Sequence, residues 1–294
     1  MPAHAHDDRS ERNIRTAFFL NLAFTLFEFV GGAYTGSLAI TADALHDLGD
    51  SFALGLSWFF ERVARRERTP LFSYGYRRFS LLAALINAVI LVTGSIVILA
   101  GAIPRIFEPS MPDAAGMFVF ALIGIAANGL AALRVRGGAT LNERVVAWHL
   151  LEDVMGWVAV LVVSIVLLFW EIPVLDPVLA VLIALFVLWN VGKNLRQTVV
   201  IFLQGVPPTI TIGTVREALT AINGGRSIHD THLWSLDGEH HILTTHIVVA
   251  GGGGYGAMRE IKCRAKEAAA GLGISHATIE IEQEGEGCPV AGGY

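Results

Sequence analysis

The sequence predicts an α-helical membrane protein, with six transmembrane helices followed by a C-terminal cytoplasmic α/β domain. Composition is the first observation: 53% of the 294 residues are hydrophobic and 16% are charged, whereas soluble domains carry roughly 25% charged residues. The second is a series of apolar segments near the roughly 20 residues that a spanning helix needs. The third is a return to polar, alternating sequence from about Gln204.

Residues 14–203 hold the predicted transmembrane domain. Its apolar segments are Thr16–Tyr34, Leu38–Phe60, Phe79–Ile103, Ala114–Leu133, Val145–Trp170 and Pro177–Val191. We expect the short last segment to continue as a helix beyond the membrane. Residues 1–13 are predicted to form a cytoplasmic tail, which is either inert or captures metal through His4 and His6. This tail has no apolar core before a cleavage site, so we expect the first helix to direct insertion itself.

Positive charge divides the loops into two classes. Basic residues follow the second, fourth and sixth segments: Arg62, Arg65, Arg66, Arg68, Arg77, Arg78, Arg134, Arg136, Arg144, Lys193 and Arg196. The alternate loops hold only Arg105. Because cytoplasmic loops are enriched in Lys and Arg, both termini are predicted to be cytoplasmic. Compact loops and the lack of targeting segments favour a bacterial inner membrane.

Residues 204–284 predict a ferredoxin-like domain with the element order α-β-β-α-β. GTVREALTAIN is typical of a short amphipathic helix, and Asp237-Gly238 predicts a hairpin between the strands SIHDTHLWSL and HHILTTHIVVA. YGAMREIKCRAKEAAAGLG predicts the second helix, and SHATIEIEQ predicts the last strand. This order fits a two-layer sandwich. Residues 285–294 are predicted to form a C-terminal tail. Gly251–Gly254 predicts a flexible loop, because no Lys-Ser/Thr of a phosphate-binding motif follows it.

Ionisable residues inside the second and fifth apolar segments indicate a functional site. His46 and Asp50 are four residues apart, which places them on one face of a helix, and His149 and Asp153 repeat that spacing. Charge at membrane depth costs several kcal/mol per group. One His/Asp pair alone could be structural, but two pairs with the same spacing predict a shared tetrahedral zinc site that would also accept cobalt or cadmium.

Such a site couples metal to protons. Metal needs neutral imidazoles and ionised carboxylates, so metal binding releases protons and protonation releases metal. The sequence has no nucleotide-binding motif and no phosphorylated-aspartate loop. We therefore expect metal and proton exchange driven by a gradient, without an organic cofactor or a nucleic-acid partner.

Other polar residues in the apolar segments have several interpretations. Asp47 and Glu152 lie about 100° around the helix from a predicted ligand, which favours supporting or vestibule roles. Asp43 is either a step on the metal path or a structural hydrogen-bonding group. On the first helix, Asn21, Phe24 and Glu28 share one face, as if directed into a bundle. Asn87 and Asn128 predict hydrogen bonds between helices.

Two other function classes fit the sequence less well. An intramembrane metalloprotease needs an open zinc position and typically a His-Glu-x-x-His helix, and neither is present. A sensor with a membrane anchor has no need of buried His/Asp pairs.

Several motifs together resemble the cation diffusion facilitator family, of the zinc-transporter type. They are NLAFTLFE, SLAITADALHDLGD, FSYGYRR, HLLED, HDTHLWSL and HATIEIE, and they cover almost the whole chain. The resemblance implies that His46, Asp50, His149 and Asp153 form the transport site, and that a His in both pairs favours zinc. It also implies a homodimer in the lipid bilayer that exports cytosolic metal against proton influx, with a cytoplasmic domain that binds metal and tightens the dimer.

The chain departs from this family pattern at two places. The loop RVRGGATLNER lacks a His-rich insert, and the C-terminal end offers Cys288 without a second cysteine beside it. The cytoplasmic positions that match family ligands are His229, His246 and Glu282. We expect the other histidines of the domain to be surface or loop residues: His232, His240, His241 and His276. The two cysteines, Cys263 and Cys288, predict no disulfide framework and fit a reducing compartment.

Overall fold

A computed structural model gives the fold of the chain. It describes residues 3–64, 66, 68–135, 141–250 and 254–286, and side chains within 18–56, 59–60, 62–63, 66, 68–133, 148–250 and 254–286. The side chains of His4 and His6, the loop that contains Arg136, and Cys288 lie outside these residues.

Six long helices form the first part of the chain. They are α1 (Ala3–Thr35), α2 (Leu38–Ala64), α3 (Phe79–Phe107), α4 (Ala114–Val135), α5 (Leu141–Phe169) and α6 (Leu175–Phe202). Each predicted apolar segment lies inside one of them, except that Val145–Trp170 extends one residue beyond the end of α5. The sixth continues to Phe202, eleven residues beyond the predicted Val191, as expected for a helix that extends past the membrane.

Five of these helices have the length and hydropathy of a membrane span within the described residues, namely α1, α3, α4, α5 and α6. Helix α2 is also long enough, with 27 residues. Asp43, Asp47 and Asp50 interrupt its apolar sequence. Helix α2 therefore differs from the other five because these three aspartates lie within its apolar segment.

The chain divides into two compact units. The first holds α1, most of α2 to α6, and the loops at one end of these helices. The second holds residues 63–82 and the chain from Leu195 onward. Within it, α7 (Ile212–Thr220), β1 (Gly225–Ser235), β2 (His241–Val249), α8 (Tyr255–Gly271) and β3 (Ile274–Gln283) follow in the predicted α-β-β-α-β order.

The three strands form one sheet in the order β1-β2-β3. Strands β1 and β2 are an antiparallel hairpin, and β2 pairs with β3 in parallel, as the crossover through α8 requires. Helices α7 and α8 contribute Val215, Leu219, Ala265 and Ala269 to a core shared with the sheet. Along β2, every second side chain points into this core, so the side chains between them share the opposite face of the sheet.

A buried aspartate anchors the start of α2. Asp176, at the start of α6, accepts hydrogen bonds from the Ser37 hydroxyl and from the backbone N–H of Leu38 at 2.8 Å. It is 2% exposed. A carboxylate at a helix N-terminus satisfies unpaired N–H groups and interacts favourably with the helix dipole. Gly36 (φ 69°) makes the tight turn between α1 and α2 that brings Ser37 to this position.

Helices α4 and α5 pack closely around one aromatic side chain. Trp157 of α5 is fully buried and lies against Gly124 of α4, where a Cβ atom would come within 2.2 Å of its ring. Phe24 of α1 meets the same ring edge-on, with a centroid distance of 6.3 Å. Because residue 124 is a glycine, the Trp157 ring can pack directly against α4, and this contact holds α5 in place.

We expect Gly124→Ala to lower the unfolding free energy by about 1–3 kcal/mol, because the added methyl group overlaps the buried Trp157 ring. The matched control is Gly129→Ala on the same helix, where a Cβ atom meets nothing within 4 Å. It should be neutral or slightly stabilising. Thermal unfolding of both variants in detergent measures the difference, and equal melting temperatures would contradict this packing.

Candidate metal centre

Helices α2 and α5 bring the two predicted His/Asp pairs together in the first unit. The Asp50 Oδ2 atom of α2 lies 3.1 Å from His149 Nε2 of α5 and 3.8 Å from His46 Nε2. His149 Nε2 lies 3.9 Å from Asp153 Oδ2. The two imidazole rings have a centroid distance of 6.3 Å. All four predicted residues thus meet at one place, which we call the transmembrane cluster.

The spacing of these atoms suits a small dication. Ligand atoms about 2.0–2.1 Å from a tetrahedral zinc ion lie about 3.4 Å from one another. The three measured separations lie within about 0.5 Å of this value. Both ring nitrogens of His46 are buried without a hydrogen bond among the described residues. Because unpaired buried polar atoms are costly, this arrangement favours a ligand between the two helices.

Access to the transmembrane cluster is uneven. The Asp153 side chain is 8% exposed and that of His46 is 17% exposed, whereas that of His149 is 42% exposed. Helix α5 approaches α2 closely at Gly156, where a Cβ atom would lie 3.2 Å from the Asp43 carboxylate. His149 is therefore the most exposed of these three side chains, and α5 packs closely against α2 next to Asp43.

Acidic side chains surround the cluster in the first unit. Glu28, Asp43 and Asp47 are 0%, 6% and 4% exposed. Asp43 lies close enough to His46, Asp50 and Asp153 to interact with them electrostatically. No Lys or Arg occurs in residues 16–60 or 145–170, so these segments supply no basic side chain to balance the carboxyl groups. This environment attracts cations.

Helix α1 supports the acidic face of α2. Asn21 donates hydrogen bonds to the Ser51 hydroxyl at 3.0 Å and to the Asp47 carbonyl at 3.2 Å. Glu28 is fully buried beside Asp47. The predicted face of α1 therefore does point into the helix bundle. Glu152, in contrast, is exposed on α5.

Two asparagines differ from the expected pattern of hydrogen bonds between helices. Asn128 donates a hydrogen bond to the Gly124 carbonyl of its own helix at 3.3 Å. The expected hydrogen bond to another helix was therefore wrong for the Asn128 side-chain N–H. A residue four positions later lies one turn above its acceptor, and a short amide reaches it without a second helix. The Asn87 Oδ1 atom is buried without a partner among the described residues.

The second unit holds a separate cluster of the predicted cytoplasmic ligands. His229, His246 and Glu282 each offer one ligand atom within 4.8 Å of the others, and we call them the cytoplasmic cluster. Glu282 lies 3.3 Å from His229 Nε2 and 2.5 Å from His246 Nδ1 through its two carboxylate oxygens. It is 6% exposed. Two imidazoles and a buried carboxylate form a ligand set suited to zinc.

Sheet register explains why these residues meet. His229 of β1 pairs directly with His246 of β2, and their rings lie 5.1 Å apart. His246 in turn pairs with Glu280 of β3, and Glu282 is two residues further on the same face. Glu280 itself is more exposed, at 68% of its side chain, and lies 3.7 Å from His246 Nε2.

The sequence analysis missed Asp230 as a neighbour of the cytoplasmic cluster. Its carboxylate lies 3.7 Å from His246 Nε2. The pairing of β1 and β2 shifts between His229 and His232, and Asp230 adopts φ 46° at this irregularity. A bulge re-aims a side chain, so strict alternation along the strand could not have placed Asp230 on this face.

The remaining histidines of the second unit have other partners. His232 contacts Asp230 at 2.9 Å, His240 contacts Asp237 at 2.7 Å, and the His276 ring meets Tyr74 edge-on. His241 is 7% exposed, so the expectation of a surface or loop position was wrong for it. It begins β2, where its side chain turns inward. Cys263 is an exposed free thiol on α8.

Comparisons with known proteins cover both units. The family model described as the cation efflux transmembrane domain matches residues 14–203, and that of the cation efflux protein cytoplasmic domain matches residues 207–284. The chain is 33% identical over 248 residues to the metal cation efflux system protein CzcD of Cupriavidus metallidurans, which covers 84% of this chain and 78% of that protein.

Two further relatives span nearly the whole chain. The zinc transporter ZitB of Yersinia pseudotuberculosis is 32% identical over 290 residues, covering 97% of this chain and 92% of the relative. The cadmium, cobalt and zinc/H(+)-K(+) antiporter of Bacillus subtilis is 28% identical over 286 residues, covering 96% and 92% respectively.

We expect Glu282→Gln to weaken zinc binding at the cytoplasmic cluster by at least about tenfold, because a neutral amide replaces the buried carboxylate that contacts both imidazoles. Calorimetric titration of the full-length protein in an Asp50→Asn background separates this cluster from the transmembrane one. The control is Glu267→Gln, an exposed carboxylate on α8. Equal zinc affinity in both variants would contradict the assignment.

Proposed function

We propose that this chain, which belongs to the cation efflux family, carries zinc through the transmembrane cluster of His46, Asp50, His149 and Asp153. The protein is a divalent-metal efflux transporter of the membrane and not an enzyme. The observation that carries the site assignment is the Asp50 carboxylate, which lies 3.1 Å from His149 Nε2 across the interface of α2 and α5.

The chemistry of the ligands supports zinc as the cargo. Two imidazoles and two carboxylates suit a tetrahedral borderline dication, and cobalt and cadmium accept similar ligands. The names of the relatives include zinc, cadmium and cobalt. The surrounding carboxyl groups of Glu28, Asp43 and Asp47 offset part of the cost of bringing a dication into a low-dielectric environment.

Proton exchange follows from the same four residues. Zinc binds to neutral His46 and His149 and to ionised Asp50 and Asp153, so loading releases protons from the cluster. Protonation of these groups on the opposite side releases zinc. A site that opens alternately to the cytosol and to the outside then exports zinc against entering protons. One relative is named as an antiporter that exchanges these metals for H(+) and K(+), which supports this coupling.

The cytoplasmic cluster has a regulatory role in this proposal. Zinc bound by His229, His246 and Glu282 links all three strands of the sheet, so it stabilises the domain when cytosolic zinc rises. The family model that matches residues 207–284 describes this domain as the cytoplasmic part of the protein. We expect two chains to pair through it into a homodimer.

The membrane arrangement completes the proposal. Both termini face the cytosol, because basic residues follow α2, α4 and α6 while Arg105 is the only basic residue in the alternate loops. The curated relatives named above are bacterial proteins, which supports a bacterial inner membrane for this one.

Zinc uptake into proteoliposomes with an acidic interior tests the proposal. We expect Asp50→Asn and Asp153→Asn each to reduce pH-driven uptake by at least about tenfold, because a neutral amide leaves the dication with one carboxylate ligand instead of two. The matched control is Glu152→Gln, which removes an exposed carboxylate next to Asp153 and should retain uptake.

The outcome discriminates between two functions. Normal uptake by folded Asp50→Asn and Asp153→Asn variants would show that the cluster is structural and that zinc takes another path. A wild-type protein that binds zinc without transporting it under the gradient would favour a membrane-anchored metal sensor.

A further inference from the structure

A cleft in the second unit has the chemistry of an anion site. It has a volume of about 290 Å³ and lies between residues 71–79, which precede and begin α3, and the chain that follows α6. Its polar lining includes Arg77, Arg78, Gln204 and Trp234. None of its lining residues is an Asp or Glu. All four of these side chains can donate hydrogen bonds, and two of them carry a positive charge.

Arg77 is held by a chain of contacts within the domain. Its guanidinium contacts His240 Nε2, and His240 Nδ1 lies 2.7 Å from Asp237 Oδ2. Asp237 also accepts the backbone N–H groups of Glu239 and His240. These contacts orient Arg77 before any ligand arrives, which reduces the entropy lost on binding.

Arg78 differs from Arg77 in the side chains that surround its guanidinium. It is partly buried in the cleft wall, and no carboxylate among the described residues pairs with it. A partly buried guanidinium without an anionic partner loses hydration and gains no ion pair. An anion in the cleft would supply that partner through charge-assisted hydrogen bonds.

The backbone at Gln204 explains how this residue reaches the cleft. This residue has φ 62°, a conformation that a residue with a Cβ atom rarely adopts. This conformation ends helix α6, and the Gly205 N–H that follows donates to the Val200 carbonyl at 2.8 Å. Here it directs the chain after the end of α6 so that Gln204 lines the cleft beside the arginines.

We propose that this cleft binds a phosphate group, carried either by an anionic lipid headgroup or by free phosphate. The positions of these residues in the chain favour the lipid headgroup over free phosphate. Arg78 immediately precedes the apolar span Phe79–Phe107, and Gln204 follows soon after the span Leu175–Phe202. Leu71, which lines the cleft, is 82% exposed, and Leu203 is 72% exposed. A lipid would place its headgroup on the arginines and its acyl chains along these leucines.

The test is a binding titration of the delipidated full-length protein in neutral detergent. The probes are short-chain phosphatidylglycerol, zwitterionic phosphatidylcholine of the same chain length, and inorganic phosphate. We expect saturable binding of phosphatidylglycerol that is about tenfold weaker in Arg78→Gln. The matched control, Arg68→Gln, removes an exposed arginine of the same loop and should bind like wild type.

A second variant covers the case in which Arg78→Gln does not fold. Gln204→Gly relieves the positive φ and so retains the fold, while it removes an amide from the cleft and should also weaken binding. Preference for phosphatidylglycerol supports the lipid source, and equally tight binding of inorganic phosphate assigns the cleft to free phosphate. Equal binding of phosphatidylcholine, or unchanged binding in both cleft variants, overturns the proposal.

Discussion

The Asp50 carboxylate lies between two imidazoles, 3.1 Å from His149 Nε2 and 3.8 Å from His46 Nε2, and this contact joins α2 to α5. A carboxylate at this depth is expensive unless a cation compensates it. Histidines can do so only when protonated, whereas a dication does so while they remain neutral. In the proposed exchange, the transmembrane cluster alternates between these two ways of balancing the charge of Asp50.

Much of the surrounding packing keeps this contact in place. Gly124 and Phe24 hold Trp157, which fixes α5 one turn beyond Asp153. Asp176 anchors the start of α2, and Asn21 binds the backbone and Ser51 further along the same helix. Each of these contacts fixes the position of a ligand-bearing helix without adding a ligand to the cluster. Buried polar pairs of this kind restrict how α2 moves relative to its neighbours.

Sequence predicted the parts of the structure that depend on local spacing. His46 and Asp50 had to share a helix face because they are four residues apart, and His229 and His246 lie on strands whose hairpin the Asp237-Gly238 dipeptide predicts. Contacts set by long-range packing were not predictable in this way. Asp176 meets Ser37 across 139 positions of the chain, Asp230 reaches His246 from a bulge in β1, and the arginine cleft joins residues 71–79 to Gln204 and Trp234.

The central claim is that two imidazoles and two carboxylates hold zinc in the transmembrane cluster. X-ray absorption spectroscopy at the zinc edge tests this coordination, on full-length protein that carries Glu282→Gln to weaken the cytoplasmic cluster and is loaded with no more than one zinc ion per chain. We expect four nitrogen and oxygen neighbours at about 2.0–2.1 Å, with the multiple-scattering pattern of two imidazoles. Sulfur at about 2.3 Å, or a zinc shell without imidazole, would contradict it.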